Sequence, residues 1–272
     1  MSDSTARYRL GVIGSGVMGR AMLNAALRAR VLGPDEVIAA DVSEACRRAV
    51  ADLGCPATDD NRTVVAEAPN LLVALKPQVI HEVLRDLRND FRDGQLIISI
   101  AAGVTLEALR ESVGAAPALV RVMPNICCTV HEAATAWTAA PGLGDEQREF
   151  VQALLEASGE AVEVEEKLMD AVTGLSGSGP AFVALFVEAL ADGGVKAGLP
   201  RAQASRLAAQ TTLGAARWLL ENDQSPAALK DMVSSPGGTT IAGVAALEAR
   251  AFRAAVIEAV VAAAERAREL GG

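Results

Sequence analysis

The chain opens on a short apolar run, Leu10 to Ile13, that ends at Gly14 and gives way to apolar residues at helical spacing, Met18, Met22, Ala26 and Leu27. That pattern predicts strand, glycine turn, helix. A second unit follows, with Val37 to Ala40 as a strand ending in Asp41 and a helix from Ser43 to about Leu53 whose apolar and basic residues fall on different faces. Asn70 to Leu75 and Leu96 to Ile100 are continuous apolar runs bounded by polar or turn residues, as strands buried on both faces are. Between them, Gln78 to Leu87 has helical spacing. Val120 to Val122 and Ala133 to Thr138 add strands, and a helix from about Glu146 to Ala157 follows. Strand and helix in alternation predict an α/β fold built on a parallel, doubly wound sheet.

After Val164 the strand signals cease and alanine-rich helical pattern takes over. The predicted division is a nucleotide-binding domain over 1–164 and an all-helical domain over 165–272. Pro180 after Ser178-Gly179, and Pro200 after Gly198, mark helix starts. One long last helix is predicted from about Ile241 to Leu270, with Val244, Leu247, Phe252, Val256, Val260 and Ala263 along one face.

Composition sharpens this picture. The chain is 51% hydrophobic but only 3% aromatic, so small aliphatic side chains do the packing and helices approach closely. That favours long helical interfaces and an oligomer. A formal net charge of -9 argues against nucleic-acid or anionic-membrane partners, because phosphates require clustered Lys and Arg. Cys46, Cys55, Cys127 and Cys128 show no C-x-x-C spacing, and no apolar run reaches the about 18–20 residues of a membrane span. Met1 to Arg9 is polar and lacks the apolar core of a secretory signal. The expectation is a reduced, cytoplasmic protein.

Gly14-Ser15-Gly16-Val17-Met18-Gly19 matches G-x-G-x-x-G at the junction of a first strand and a helix. In this setting the first glycine permits the turn, the second admits a pyrophosphate, and the third lets helix and strand pack closely. Asp41 lies about 20 residues past the loop, where a carboxylate accepts hydrogen bonds from the adenosine ribose and disfavours a 2′-phosphate. This leans toward NADH over NADPH. The alternative is that Asp41 caps the helix beginning at Ser43, and that Arg47 and Arg48 hold a 2′-phosphate or form a solvated helix face. A second small-residue loop, Ser234 to Thr240, precedes the last helix; it suits a carboxylate cradle or a plain connecting turn. Leu175 to Ala181 is a third small-residue stretch, read as a loop.

Absent chemistry also discriminates. Reducing a ketone requires a general acid, and the histidines, His81 and His131, and the tyrosine, Tyr8, form no convincing dyad. A cyclic imine removes that need, since protonated C=N is already electrophilic and positioning then supplies most of the catalysis.

In several segments the chain resembles the pyrroline-5-carboxylate reductase family over essentially its whole length. They are Ala74 to Gln78 (A-L-K-P-Q), Arg121 to Asn125 (R-V-M-P-N), and the run from Asp170 to Phe182 with T-G-L-S-G-S-G-P-A-F. Asp192 to Arg201 and Ser234 to Gly243 (S-S-P-G-G-T-T-I-A-G) continue the likeness. The resemblance implies a Rossmann-like N-terminal domain, an all-helical C-terminal dimerisation domain, and an active site completed where two chains interleave. The implied assembly is a homodimer; further association into a ring of dimers is an alternative that the sequence leaves open. It implies reduction of 1-pyrroline-5-carboxylate to proline by NADH or NADPH. It also implies cofactor contacts from the glycine loop, Asn61, the segment Ala74, Leu75, Lys76 and Pro77, and the turn Ala101-Ala102-Gly103. The implied substrate pocket takes Met123, Asn125, Ser235, Gly237, Gly238, Thr239 and Thr240, with the Thr240 hydroxyl close to the ring nitrogen; no metal is implied.

The chain departs from the family where Ile126-Cys127 replaces Thr-Pro after M-P-N, and where Ala133-Ala134-Thr135 replaces Gly-Ala-Thr. Asp41-Val42 lacks the arginine of NADPH-preferring relatives. Two other readings share the pattern. A β-hydroxyacid dehydrogenase needs a lysine on the first interdomain helix, which is read as Pro180 to Asp192 and has none; a non-catalytic nucleotide-sensing dimer would keep the fold without turnover.

Overall fold

A computed structural model describes residues 6–271; the expectation for Met1 to Arg9 falls partly outside them. In chain order the elements are β1 (Leu10–Ile13), α1 (Val17–Arg28), β2 (Val37–Ala40), α2 (Glu44–Ala51), β3 (Ala57–Thr58), α3 (Asn61–Glu67), β4 (Asn70–Val73) and α4 (Pro77–Asp86). Then come β5 (Leu96–Ser99), α5 (Leu106–Val113), β6 (Ala118–Met123), β7 (Ala133–Ala139), α6 (Asp145–Glu156) and β8 (Gly159–Glu163). The remainder is helical: α7 (Met169–Val172), α8 (Gly179–Lys196), α9 (Arg201–Asn222), α10 (Pro226–Met232), α11 (Thr239–Glu248) and α12 (Phe252–Gly271).

The chain forms two compact units, Met1–Gly177 with Ala263–Gly272, and Ser178–Ala262. In the first, one sheet runs β3-β2-β1-β4-β5-β6-β7-β8. Its first six strands are parallel, in the order of a dinucleotide-binding doubly wound sheet. Alternation along each strand divides the core. Leu10, Val12, Leu72, Ile98 and Val120 face α1 and α6, burying Met22, Leu23, Val151, Leu154 and Leu155. Ile13, Leu71, Val73, Ile97 and Leu119 face α3, α4 and α5, burying Val64, Val65, Ile80, Leu84 and Leu109. Each fully buried aliphatic side chain contributes about 1.5–3 kcal/mol, so these two layers dominate the stability of the unit.

The sheet departs from the all-parallel expectation at one edge. β7 runs antiparallel to β6, and β8 is parallel to β7. The connection Pro124–Glu132 is shorter than the dozen or so residues a parallel crossover needs. It folds into a 3-10 turn, Ile126–Val130, and His131 in the left-handed region (φ 61) returns the chain beside β6. The two-residue β3, and α3, α5 and β8, carry too short a periodic pattern to stand out in the sequence.

The second unit has a small core of its own, Ala191, Ala204 and Ala208 with Val187 and Val195 packed against it. Around it Val183, Leu185, Leu190, Leu207, Leu213, Val256 and Ile257 are exposed in the single chain. The predicted single helix from Ile241 to Leu270 is two helices, α11 and α12, broken where Ala251 adopts φ 54. No glycine or proline marks this break. Arg253 pairs with Glu248 across it, and Phe252, the first residue of α12, packs on Phe186 with ring centroids 5.9 Å apart. Tertiary packing therefore overrides local propensity, against about 1–2 kcal/mol for a left-handed alanine.

Leu175 to Ala181 is helical where a loop was expected. Glu166–Lys196 is one continuous helical stretch, and Thr173–Gly177 within it is a π-helical turn. Such single-turn widening to i→i+5 spacing occurs inside α-helices, and here it comes just before Pro180, which cannot donate. With an 18-residue window of mean hydropathy 1.4, this stretch is long and apolar enough to cross a membrane, which the apolar-run reading of the sequence did not anticipate. Its charged ends, Glu166 and Lys196, and the paired side chains of Glu166 and Asp170 instead suit a helix that packs against protein.

Candidate active site

Parallel strands bring their carboxyl ends to one edge, and helix N-termini with unpaired N–H groups face it. The glycine loop lies there. Gly14 has φ 88, and a Cβ on it would come 2.7 Å from the Ala74 carbonyl oxygen at the end of β4. A Cβ on Gly19 would collide with the Gly14 carbonyl oxygen and approach Ala74 Cβ at 3.0 Å. Gly16 differs from both, because a Cβ there meets nothing within 4 Å. Gly16 is also the N-cap of α1, with no side-chain cap and no acidic residue in the first turn. Two glycines are thus required by the protein itself, and the middle one leaves room above an uncapped helix terminus, as a pyrophosphate requires.

Ser15 and Asp41 lock this loop to β2. Asp41 Oδ2 accepts from the Ser15 N–H at 2.7 Å and from Ser15 Oγ at 3.3 Å, while Oδ1 accepts from the Ser43 N–H at 2.8 Å. Asp41 therefore does not cap the following helix through its first-turn N–H groups; Ser43 does, accepting from Cys46 N–H. Arg47 donates to the Asp41 and Val42 carbonyl oxygens at 2.8 and 3.0 Å, and Arg48 pairs with Glu44. The arginines are thus held along α2, with Arg47 closer to the carboxyl end of β2.

The other cofactor candidates gather at the same edge. Val17 is exposed and Met18 half-buried, with Met18 Sδ 3.8 Å from Cys128 Sγ. Asn61 opens α3 directly after its N-cap Asp60, whose carboxyl is held below its usual range by the hydroxyl of Thr63 and then by the Arg62 N–H. Ala74 and Leu75 leave β4, exposed Lys76 is the N-cap of α4, and Pro77 is its first residue. Ala101 and Ala102 precede Gly103, which turns at φ 77 after β5; a Cβ there would lie 3.6 Å from Gly271 Cα of α12.

Met123 and Asn125 leave β6 at this edge. Asn125 is 8% exposed, and its amide is committed on both sides: Oδ1 accepts from the Cys127 N–H at 3.1 Å, and Nδ2 donates to the Ser176 carbonyl oxygen at 3.1 Å. Two residues before Met123, the buried Arg121 donates to Glu166 at 3.2 Å and lies 4.0 Å from Asp170. Glu166 also accepts from the Leu106 N–H at 2.7 Å. Sequence reasoning missed this carboxylate pair, whose signal is the lone arginine inside an otherwise apolar strand. Burial pushes the Cys128 thiol up, with the neighbouring Cys127 adding to it, and burial does the same to Cys55. Neither is poised as a nucleophile.

Ser235, Gly237, Gly238, Thr239 and Thr240 belong to the second unit. Pro236 and Gly237 form a turn closed by Gly238 N–H to the Ser235 carbonyl at 3.0 Å, with Gly237 at φ 66. A Cβ on Gly238 would collide with Ser235 Oγ. Gly238 is the N-cap of α11 and provides no side-chain cap, and half-buried Thr240 is the second helical residue. Among the described residues the Thr240 hydroxyl makes no hydrogen bond and is not the helix cap.

The histidines fall to structural roles. His81 Nδ1 lies 2.9 Å from Ser112 Oγ, and His131 Nε2 lies 2.9 Å from Arg28. A concavity of about 980 Å³ lined by Arg9, Asn70, Arg92, Gln95 and Gln147 opens at the opposite, amino edge of the sheet. These five side chains are engaged by backbone carbonyls of Val31, Arg9, Ala66, Val65 and Gly94, and the concavity lies at the edge opposite the glycine loop. No group of metal-ligating side chains occurs among the described residues.

A doubly wound sheet with this loop, joined to an all-helical unit, defines the chain as a nicotinamide-dinucleotide oxidoreductase with a helical dimerisation domain. Residues 9–103 match the family described as NADP oxidoreductase coenzyme F420-dependent, and residues 166–270 match pyrroline-5-carboxylate reductase dimerisation. The chain is 45% identical to the pyrroline-5-carboxylate reductase of Methanosarcina acetivorans, over 97% of this chain and 98% of that one. It is 46% identical to that of Synechocystis over the same shares. A pyrroline-5-carboxylate reductase structure from Coxiella burnetii superposes with a TM-score of 0.93 at 33% identity, covering 98% of this chain and 99% of that one. The enzyme of Plasmodium falciparum with NADP bound gives 0.87 at 30% identity, over 99% and 100%. The chain belongs to the pyrroline-5-carboxylate reductase family.

The loop geometry makes a graded prediction. Gly16→Ala fits the fold and should leave the melting temperature nearly unchanged, while a methyl group over the helix terminus weakens NAD(P)H binding by about tenfold or more. Gly19→Ala should instead lower the melting temperature. Thermal melts and cofactor fluorescence titrations read the two effects; a Gly16→Ala protein with native affinity would place the pyrophosphate elsewhere.

Proposed function

We propose that this protein reduces 1-pyrroline-5-carboxylate to proline with NAD(P)H, as the last step of proline biosynthesis in a reducing cytoplasm. Family membership over nearly the whole chain carries the reading. The cofactor, when bound, supplies the hydride to the imine carbon, and the ring nitrogen keeps its proton in the product. The chain's own task is to bind and orient. The open Gly16 position and the α1 N–H groups suit the pyrophosphate, with Ser15, Val17 and Met18 beside it. Asn61, Lys76, Pro77 and the Ala101-Ala102-Gly103 turn are proposed to line the rest of the cofactor cleft.

The Ser235–Thr240 turn supports a carboxylate subsite, because the uncapped N-terminus of α11 offers N–H groups and positive potential to an anion. Thr240 is proposed to contact the imine nitrogen. Free thiols at all four cysteines agree with a reducing compartment. The dehydrogenase alternative is amended in one detail: α8 runs past Asp192 and ends on Lys196. That lysine is exposed in the last helical turn, about 25 Å along the axis from the first, and so is a poor counterpart to a catalytic lysine early in the helix.

A homodimer is proposed, since the second unit leaves more apolar surface uncovered than its three-alanine core can hide. Sedimentation at micromolar concentration should give at least the dimer mass, with a ring of dimers appearing as a larger species. An active monomer sinks the idea.

NADH is the proposed preferred donor, because the Asp41 carboxylate at the end of β2 repels a 2′-phosphate. Asp41→Ser should narrow or reverse the ratio of kcat/KM for the two cofactors. A wild type that strongly prefers NADPH would shift the assignment to Arg47.

Turnover decides between reductase and nucleotide sensor. Oxidation of NADH by chemically generated pyrroline-5-carboxylate is expected, and Thr240→Ala should lower kcat/KM by about 10- to 1000-fold while NADH affinity barely changes. Native kcat/KM in Thr240→Ala removes its catalytic role; no turnover in the wild type leaves the sensor.

A further inference from the structure

Both ends of the Asn125 side-chain amide make a hydrogen bond, and the reason for one of them lies in the helix it touches. In a regular helix the carbonyl of Ser176 accepts from the N–H at position 180. Position 180 is proline and has none. The next N–H, of Ala181, donates to Ser178 at 3.0 Å instead. Asn125 Nδ2 supplies the missing donor to Ser176 at 3.1 Å. Its orientation is forced, because the Ser176 carbonyl can only accept and the Cys127 N–H on the other side can only donate.

We propose that Asn125 is a positioning residue, which holds the Met123-Pro124-Asn125 turn against the π-helical Thr173–Gly177 segment by making the hydrogen bond that Pro180 cannot. The two segments meet closely, since a Cβ on Gly177 would lie 2.5 Å from Met123 Cε. Asn125 is buried and Ser176 half-buried at this contact, so water reaches the Ser176 carbonyl less readily than at an open surface. Arg121 anchors the same strand end to Glu166 and Asp170, which leaves the turn beyond it as the part that Asn125 must place. The effect on turnover rests on the reductase reading; the hydrogen bond itself does not.

The test is a double-mutant cycle with Asn125→Ala and Pro180→Ala, reading melting temperature, NADH dissociation constant, and kcat and KM for the imine. Pro180→Ala introduces the backbone N–H that the Ser176 carbonyl otherwise lacks as a partner within the helix. Asn125→Ala is expected to lower the melting temperature by roughly 3–6 °C and kcat/KM by about tenfold or more, with NADH affinity within about twofold of wild type. Adding Pro180→Ala should restore most of the melting temperature, because the Ser176 carbonyl regains a donor, but not kcat/KM, because the turn stays untethered. A double variant as unstable as Asn125→Ala overturns the proposal, a double variant with native kcat/KM overturns the positioning role, and an Asn125→Ala protein with native melting and native kcat/KM overturns both. Should Asn125→Ala fail to fold, Asn125→Asp keeps the acceptor for Cys127 and lacks the donor, and the same rescue by Pro180→Ala is expected. If the wild type does not reduce the imine, the functional reading fails on its own, while coupling between the two substitutions in melting temperature still decides the hydrogen bond.

Discussion

The close approach of β1, β4 and α1 around Gly14, Gly19 and Ala74 governs the nucleotide-binding unit. Without side chains at 14 and 19, the first turn of α1 sits almost on the Ala74 backbone, and its N-terminus opens at the carboxyl edge of the sheet. The Asp41 carboxylate, shared between Ser15 and Ser43, ties that loop to the neighbouring strand. These contacts fix an uncapped helix terminus in space before any ligand arrives. Preorganised N–H groups of this kind bind an anion without a further ordering cost.

Several polar side chains elsewhere in the first unit replace a backbone partner that the fold has removed. Gln95 reaches the Val65 and Ala68 carbonyls at 2.8 and 2.9 Å, where α3 ends without a following turn. Glu166 satisfies an orphan N–H at the start of α5 while pairing with Arg121. Asn125 does the same for a carbonyl facing a proline. In a low-dielectric interior an unpaired group costs more than a made bond returns, so such side chains specify geometry beyond what apolar packing alone sets.

The helical unit is organised differently. Alanine-rich α8 and α9 come close because Gly194 and Ala204 present little bulk, a Cβ on Gly194 standing 3.2 Å from Ala204 Cβ. That economy leaves the larger aliphatic residues on the outside of the single chain. The same feature that permits tight helix pairing therefore creates an apolar face that calls for a partner, in keeping with the dimerisation family to which residues 166–270 belong.

The sequence by itself determined the strands of the central sheet, the glycine loop, Asp41 at the end of β2 and the change to helix in the second half, because apolar periodicity and glycine spacing are local properties of the chain. The family motifs it carried were equally legible. Only the tertiary structure decided that β7 runs antiparallel, that the last helix breaks at Ala251, and that Leu175–Ala181 continues a helix through a π turn. The last two involve distant groups: the Phe186 ring packs on Phe252, and Asn125 bonds the Ser176 carbonyl. The Arg121–Glu166–Asp170 cluster was hidden for the same reason, since its members are far apart in the chain and only the packed sheet brings their charges together.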